Sequence, residues 1–219
     1  MSQEVPTTLP RVIQLPLLYF PPVSWFVHAL EADQVVLGCP RPYRKQTLRN
    51  RCAIMSANGP LTLTVPVAKP WRNAAFSEVR PDTARPWRRT HWRAIESAYS
   101  RSPFFLYYRD EAESWFSKDR VESLAAFNQA CIHDLIRIMQ LPVNVNVDQV
   151  HGPHEGELTD YAPFFLNRRQ EEGSSLMALP EYRQVFSERL PFVPDLSVLD
   201  LIFNLGPEAR EYLRKAARR

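Results

Sequence analysis

RVIQLPLLYFPPVSWFVHALEADQVVLG, residues 11–38, is the stretch that decides the fold. Its first segment, 11–15, is aliphatic and β-branched and reads as a strand. Pro16 and then Pro21-Pro22 interrupt it with turns, because proline fixes φ and has no N–H to donate. Residues 23–31 then place Trp25, Phe26, Ala29 and Leu30 on one side of a short helix. A second apolar strand, 34–37, is closed by Gly38. Strand, helix and strand in that order make a βαβ unit with two parallel strands. The loop from Tyr19 to Trp25 then sits at the carboxyl edge of the sheet, where open α/β folds bind ligands.

Downstream, 52–55 and 61–67 read as strands joined through Asn58-Gly59, a pair that tolerates positive φ and so predicts a hairpin. Residues 76–80 add a further candidate strand. From there the pattern turns helical. Pro86 suits a first helical position, and Trp87, His91, Ile95 and Tyr99 recur every four residues. Segment 120–140 is the clearest helix, with Val121, Leu124, Phe127, Cys131, Leu135 and Ile138 as its apolar stripe and Pro142 beyond its end. Residues 148–158 are a loop. Helix 197–204 opens with Ser197 and Asp200 in capping-box spacing and stops at Gly206, and Pro207 opens a last helix. The expected architecture is α/β: a βαβ-containing mixed sheet over 11–80 and a mostly helical half over 86–219, in one domain, 1–219.

A chain of 219 residues with 45% apolar and 23% charged residues has ordinary globular composition and enough length for a real core. Twenty prolines against six glycines point to short elements joined by defined loops. The net charge is only +3, but arginines concentrate in 41–51, 85–93 and 210–219. Local basic patches of that size suit a phosphate or carboxylate ligand, whereas generic duplex nucleic acid calls for a larger field. Three widely spaced cysteines, Cys39, Cys52 and Cys131, contain no CxxC pair, so neither a zinc site nor a disulfide framework is expected, and a reducing, cytoplasmic location fits. No run approaches the roughly eighteen apolar residues of a membrane span, and the opening MSQEVPTTLP has no basic or greasy region of a signal peptide.

Five constellations bear chemistry. Gln14 with the Tyr19–Trp25 loop offers an aromatic platform for a planar ligand or sugar ring, or else a proline-braced turn packed inward. Arg49, Asn50 and Arg51, after Lys45 and Thr47, supply several donors for phosphate or carboxylate, or else a solvated edge. Arg89 and Arg93 lie one helical turn apart beside His91, which is a candidate acid/base or a hydrogen-bonded core histidine. His151 and His154 with nearby carboxylates match a metal loop in spacing only, since no helix aims both imidazoles at one point, and no metal is assigned. Asp200 and Asn204 share one helix face, where capping and packing account for most of the segment. GxGxxG, GxxxxGK[ST], GxSxG and HExxH are all absent, which demotes dinucleotide redox chemistry, P-loop hydrolysis and the common hydrolase mechanisms. No cofactor follows from any motif.

Taken together, Gln14 with Tyr19-Phe20-Pro21-Pro22 and Trp25-Phe26, the run from Lys45 to Cys52, and Gly59 through Val67 resemble the WbqC-like family of bacterial proteins. The stretch Thr90-His91-Trp92-Arg93, Pro103-Phe104-Phe105 and the segment from Leu196 to Asn204 carry the same resemblance. Many relatives have an acidic pair where this chain has Gly38-Cys39, and Gln-Pro where it has Gln14-Leu15-Pro16, so an acidic metal-binding role is not carried over. The resemblance implies an association with surface-polysaccharide (O-antigen) gene clusters. At the level of fold the opening is also similar to nucleotidyltransferases of the HIGH-motif class, whose His-x-Gly-His signature is missing here. The expectation is a transferase acting on a phosphorylated or nucleotide-activated small molecule by sugar or acyl/aminoacyl transfer. In it Arg49, Arg51, Arg89 and Arg93 hold the anion, His91 exchanges the proton, and Gln14, Tyr19, Trp25 and Asn50 contact the substrate. The alternative is a non-catalytic scaffold of envelope assembly with an arginine-lined partner surface.

Overall fold

The computed structural model describes residues 11–38, 42–117, 123–146, 158–166 and 177–218. The opening is the expected βαβ unit: β1 (Val12–Pro16), α1 (Val23–Leu30) and β2 (Gln34–Gly38). β1 and β2 pair in parallel, with Ile13 opposite Val35 and Leu15 opposite Leu37. Two short strands complete the sheet, β5 (Val145–Asn146) beside β2 and β6 (Leu158–Asp160) beside β1, in the order β5-β2-β1-β6 with every pairing parallel. All five residues of β1 are buried, as an inner strand covered on both faces requires.

A second, two-stranded sheet is the expected antiparallel hairpin, β3 (Arg51–Ser56) and β4 (Gly59–Thr64). Gly59 turns it at φ 102°, and the Ser56 hydroxyl donates to the Gly59 carbonyl at 2.6 Å. The strand expected at 76–80 is instead a 3-10 turn, Phe76–Glu78. The Glu78 carboxylate accepts from the Ala75 N–H at 3.2 Å, which closes the chain locally before it can reach a neighbouring strand.

The helices follow in chain order. α2 (Trp87–Tyr99) has Pro86 as its cap, one place earlier than expected. α3 (Phe105–Ser114) goes beyond the sequence expectation; it buries Phe105, Tyr108 and Ala112 but leaves Leu106 and Tyr107 exposed. α4 (Leu124–Ile138) is shorter than the expected 120–140. Ser123 caps it by accepting from the Ala126 N–H, and Leu124, Phe127, Cys131 and Leu135 form its buried stripe. α5 (Ala162–Leu166) follows β6. α6 (Val198–Leu205) has Ser197 as its cap, but the Asp200 carboxylate turns into the core instead of closing a capping box. Gly206 ends it at φ 54°, where any Cβ would collide with the Phe104 ring. α7 (Ala209–Ala217) packs against α1. The histidines of the expected 148–158 loop lie outside the described residues, as does Cys39.

The amino end of α1 is the position where an open α/β fold usually receives an anion. Here it is occupied from within the chain. Asp195 accepts from the Ser24 N–H at 2.8 Å and from the Ser24 hydroxyl at 2.9 Å, while Val23 N–H donates to the Leu196 carbonyl at 3.1 Å. Among the described residues no helix is long and apolar enough to cross a membrane.

Candidate functional site

Two of the sequence-predicted residues meet in the core. The Tyr19 hydroxyl lies 2.7 Å from His91 Nδ1, and both side chains are buried. The imidazole also bonds the Thr64 backbone, an interaction that favours its protonated form, yet burial dominates and lowers its pKa to about 4. His91 is therefore neutral near pH 7 and accepts from Tyr19, whose phenol burial keeps protonated. Tyr19 is enclosed by Phe127, stacked at 5.9 Å, and by the edges of Phe20 and Trp87. Trp25 is fully buried and donates its indole N–H to the Pro16 carbonyl at 3.0 Å. The aromatic loop is thus packed inward, and its polar atoms are partnered. Phe20 is held there at φ 40°, a conformation that a bulky residue adopts only when its surroundings impose it.

Arg49, Asn50 and Arg51 form a different kind of place. They lie in the turn that enters β3, and the first two are as buried as core residues, at 2% and 3% exposure. Asn128 of α4 fixes the turn by donating to the Arg49 carbonyl at 2.8 Å. Asn50 donates to the Val65 carbonyl at 3.0 Å and Arg49 Nη1 to the Pro42 carbonyl at 3.1 Å. The Arg49 guanidinium stands 5.2 Å from the Phe76 ring centroid, and the Tyr43 ring lies parallel to Phe76 at 5.8 Å. Lys45 Nζ sits 4.3 Å over Trp71, with Arg72 at 5.9 Å from the same ring.

Four buried polar atoms around this turn have no hydrogen-bond partner among the described residues: Tyr43 Oη, Asn50 Oδ1, Arg51 Nε and Asn128 Oδ1. Burial pushes the Tyr43 phenol up, and the charges of Arg49 and Arg51 pull it partly back, which places both guanidiniums within electrostatic reach of Tyr43. In the ion pairs between described residues, Arg44, Lys45, Arg51 and Arg72 take no part. A cationic corner with aromatic faces and unsatisfied donors and acceptors is suited to an anionic, partly planar ligand.

The remaining predicted residues are dispersed. Gln14 is buried on β1, and its Nε2 has no partner among the described residues. Arg89 and Arg93 are exposed, on the side of α2 away from the buried His91. Asp200, wholly buried, accepts from Tyr182 at 2.6 Å, Tyr99 at 2.9 Å and Gln184 at 3.0 Å. Burial raises its pKa, and those three hydrogen bonds oppose the rise. Asn204 donates to the Asp200 carbonyl at 2.7 Å within the same helix. Sequence reasoning missed Tyr43, Trp71, Phe76 and Asn128. The available signals were an aromatic residue inside the cationic run 41–51 and an asparagine inside the apolar pattern of α4.

The corner, His91 and Asn128 all fall within residues 18–162, the span that matches the sequence pattern of the WbqC-like protein family. A protein of Mycobacterium tuberculosis, described as "Uncharacterized protein Rv1507c", is 24% identical over 221 residues, covering 90% of this chain and 94% of that relative. No solved structure matches. With well over half of its length matched, the chain belongs to the WbqC-like protein family.

Proposed function

We propose that the chain binds a phosphorylated or nucleotide-activated small molecule at the Arg49–Asn50–Arg51 corner and transfers its sugar, acyl or aminoacyl group in bacterial surface-polysaccharide biosynthesis. The observation that carries the binding half is the set of buried polar atoms on Tyr43, Asn50, Arg51 and Asn128 that have no partner among the described residues. Each such atom costs about 1–3 kcal/mol when left without a partner, and folded proteins leave few of them. A ligand whose phosphate oxygens accept from Arg51 and Tyr43 and whose donors reach the two asparagines would partner all four. Half-buried Trp71 gives a planar group a surface, and Lys45 and Arg72 supply charge beside it. On this reading His91 is a positioning residue: it holds Tyr19, whose main-chain N–H donates to the Leu48 carbonyl at 2.9 Å beside the corner.

Thermal unfolding against nucleotides, nucleotide sugars, acyl-coenzyme A and simple phosphates tests the reading. A ligand at about a hundred times its Kd stabilises the fold by roughly 2.7 kcal/mol. The shift should disappear in Arg51→Ala and persist in Arg93→Ala. A panel without any shift, or a shift indifferent to Arg51, removes the proposal. The scaffold reading retains one observation in its favour, the exposure of Leu106 and Tyr107 on α3, at 78% and 73%.

A further inference from the structure

Arg89, an exposed cation that the corner does not use, lines a groove of its own. The groove encloses about 790 Å3 between the start of α2 and the end of α3, and its walls are mostly apolar. Trp87, Trp92 and Phe116 supply those walls, and each is less than a tenth exposed. The rings are braced from behind. Trp92 stacks on Phe105 at 6.2 Å and lies 6.2 Å from Phe116, and Trp87 stands edge-on to Phe127 at 5.8 Å. These walls are preformed, and their size falls in the range of small-molecule sites.

The rim is cationic. Arg88 is committed to the protein: its guanidinium lies 5.4 Å from the Trp87 ring and its Nη1 donates to the Ser117 carbonyl at 2.8 Å. Arg85 faces Asp82 at 3.7 Å. Arg89 takes part in no hydrogen bond or ion pair between described residues and is exposed at the groove. Glu113 is the only carboxylate among the groove's described lining residues. An apolar interior with one uncommitted guanidinium at its edge selects for shape and for a single negative charge.

We propose that this groove is a second ligand site, for a small amphiphilic anion: a flat or chain-like apolar body that ends in one carboxylate, sulfonate or phosphate held by Arg89. It shares no lining residue with the Arg49 corner, so it stands whether or not that corner binds its own ligand.

The test uses two fluorescent probes with the same body and different charge, 8-anilinonaphthalene-1-sulfonate and the neutral N-phenyl-1-naphthylamine, titrated into the full-length protein. The sulfonate should bind saturably at one site and more tightly than the neutral probe. Arg89→Glu should weaken the sulfonate about tenfold or more while leaving the neutral probe within about twofold. Glu113→Gln, which removes the opposing charge, should strengthen the sulfonate. Thr83→Trp, an exposed substitution in the lining, should block both probes, and thermal melts verify that each variant folds. Arg51→Ala should change neither titration. The proposal is overturned by equal binding of the two probes, by sulfonate binding that ignores Arg89→Glu and Glu113→Gln, or by binding that survives Thr83→Trp in a folded protein.

Discussion

Asp200 and the Arg49 corner are both buried, both polar and both built from residues far apart in sequence, yet one is fully partnered and the other is not. Asp200 receives three donors from Tyr99, Tyr182 and Gln184. Tyr99 in turn accepts from the Met55 N–H at 3.0 Å, and Gln184 clamps Val193 through both its amide atoms. The knot therefore ties the β3–β4 hairpin, α2, α6 and the irregular segment around 182–193 into one unit. Its carboxylate is wholly buried, and both of its oxygens are taken up by donors from within the protein. The Arg49 corner is also largely buried, but Tyr43, Asn50, Arg51 and Asn128 each keep one buried polar atom without a partner among the described residues. The difference separates polar burial that holds a fold from polar burial that awaits a partner.

The comparison is broken most severely at the satisfied knot. Asp200→Ala leaves the Tyr99 and Tyr182 hydroxyls without an acceptor and Gln184 Nε2 with only the Val193 carbonyl, and chemical denaturation should register a loss of about 4 kcal/mol, on the scale of about 1–3 kcal/mol for each stranded group. Tyr99→Phe removes the donor to Asp200 and the acceptor of Met55 while keeping the ring, so about 2 kcal/mol is expected in the same measurement.

Tyr19 and His91 give a third, smaller break with a pH signature. Tyr19→Phe strands His91 Nδ1 and should cost about 1–2 kcal/mol at pH 7. His91 has its folded pKa lowered to about 4, below its ordinary value of 6.5, so the unfolded chain takes up the proton first as the solution is acidified. Its contribution is fully present above about pH 6.5 and is lost as pH falls toward 4, at no more than about 1.4 kcal/mol per pH unit. Asp200 has the opposite sign: its raised pKa favours folding at the acid end, and that contribution is lost as pH rises through the raised value. The difference in stability between wild type and His91→Gln across pH 4–7 isolates the histidine. A difference that is flat with pH would mean that His91 does not titrate with folding.

The βαβ opening was legible because β1 and β2 are short, mostly aliphatic runs closed by Pro16 and Gly38, and α2 and α4 because their stripes recur at helical spacing. β5 and β6 were not, since two or three residues hold no period, and α3 escaped because Leu106 and Tyr107 face outward beside buried Phe105 and Tyr108. At the sites, the sequence placed His91 on the Trp87–Ile95–Tyr99 line, and the structure keeps it on that line as a core residue. The cations of 41–51 read equally well as a solvated edge. The turn that carries buried Arg49 and Asn50 is fixed by a bond from Asn128, 79 residues from Arg49, and no local pattern announces such a partner. Distance along the chain, more than residue type, hid the corner.

The smallest expected effect is the most discriminating. Arg51→Met keeps the aliphatic stem that packs at the start of β3 and removes a buried Nε with no partner among the described residues. If the corner served only the fold, losing that arginine would cost stability as Tyr99→Phe does. If the unpartnered atoms are there for a ligand, the melting temperature of the free protein should stay within about a degree or rise, because removing an unsatisfied buried group relieves its desolvation cost. The stabilisation by a phosphorylated ligand should then fall in the same variant by about 1.4 kcal/mol or more, a tenfold loss of affinity. Free-protein stability and ligand-induced shift would move independently at Arg51 and together at Tyr99, where any loss of ligand response follows from loss of fold.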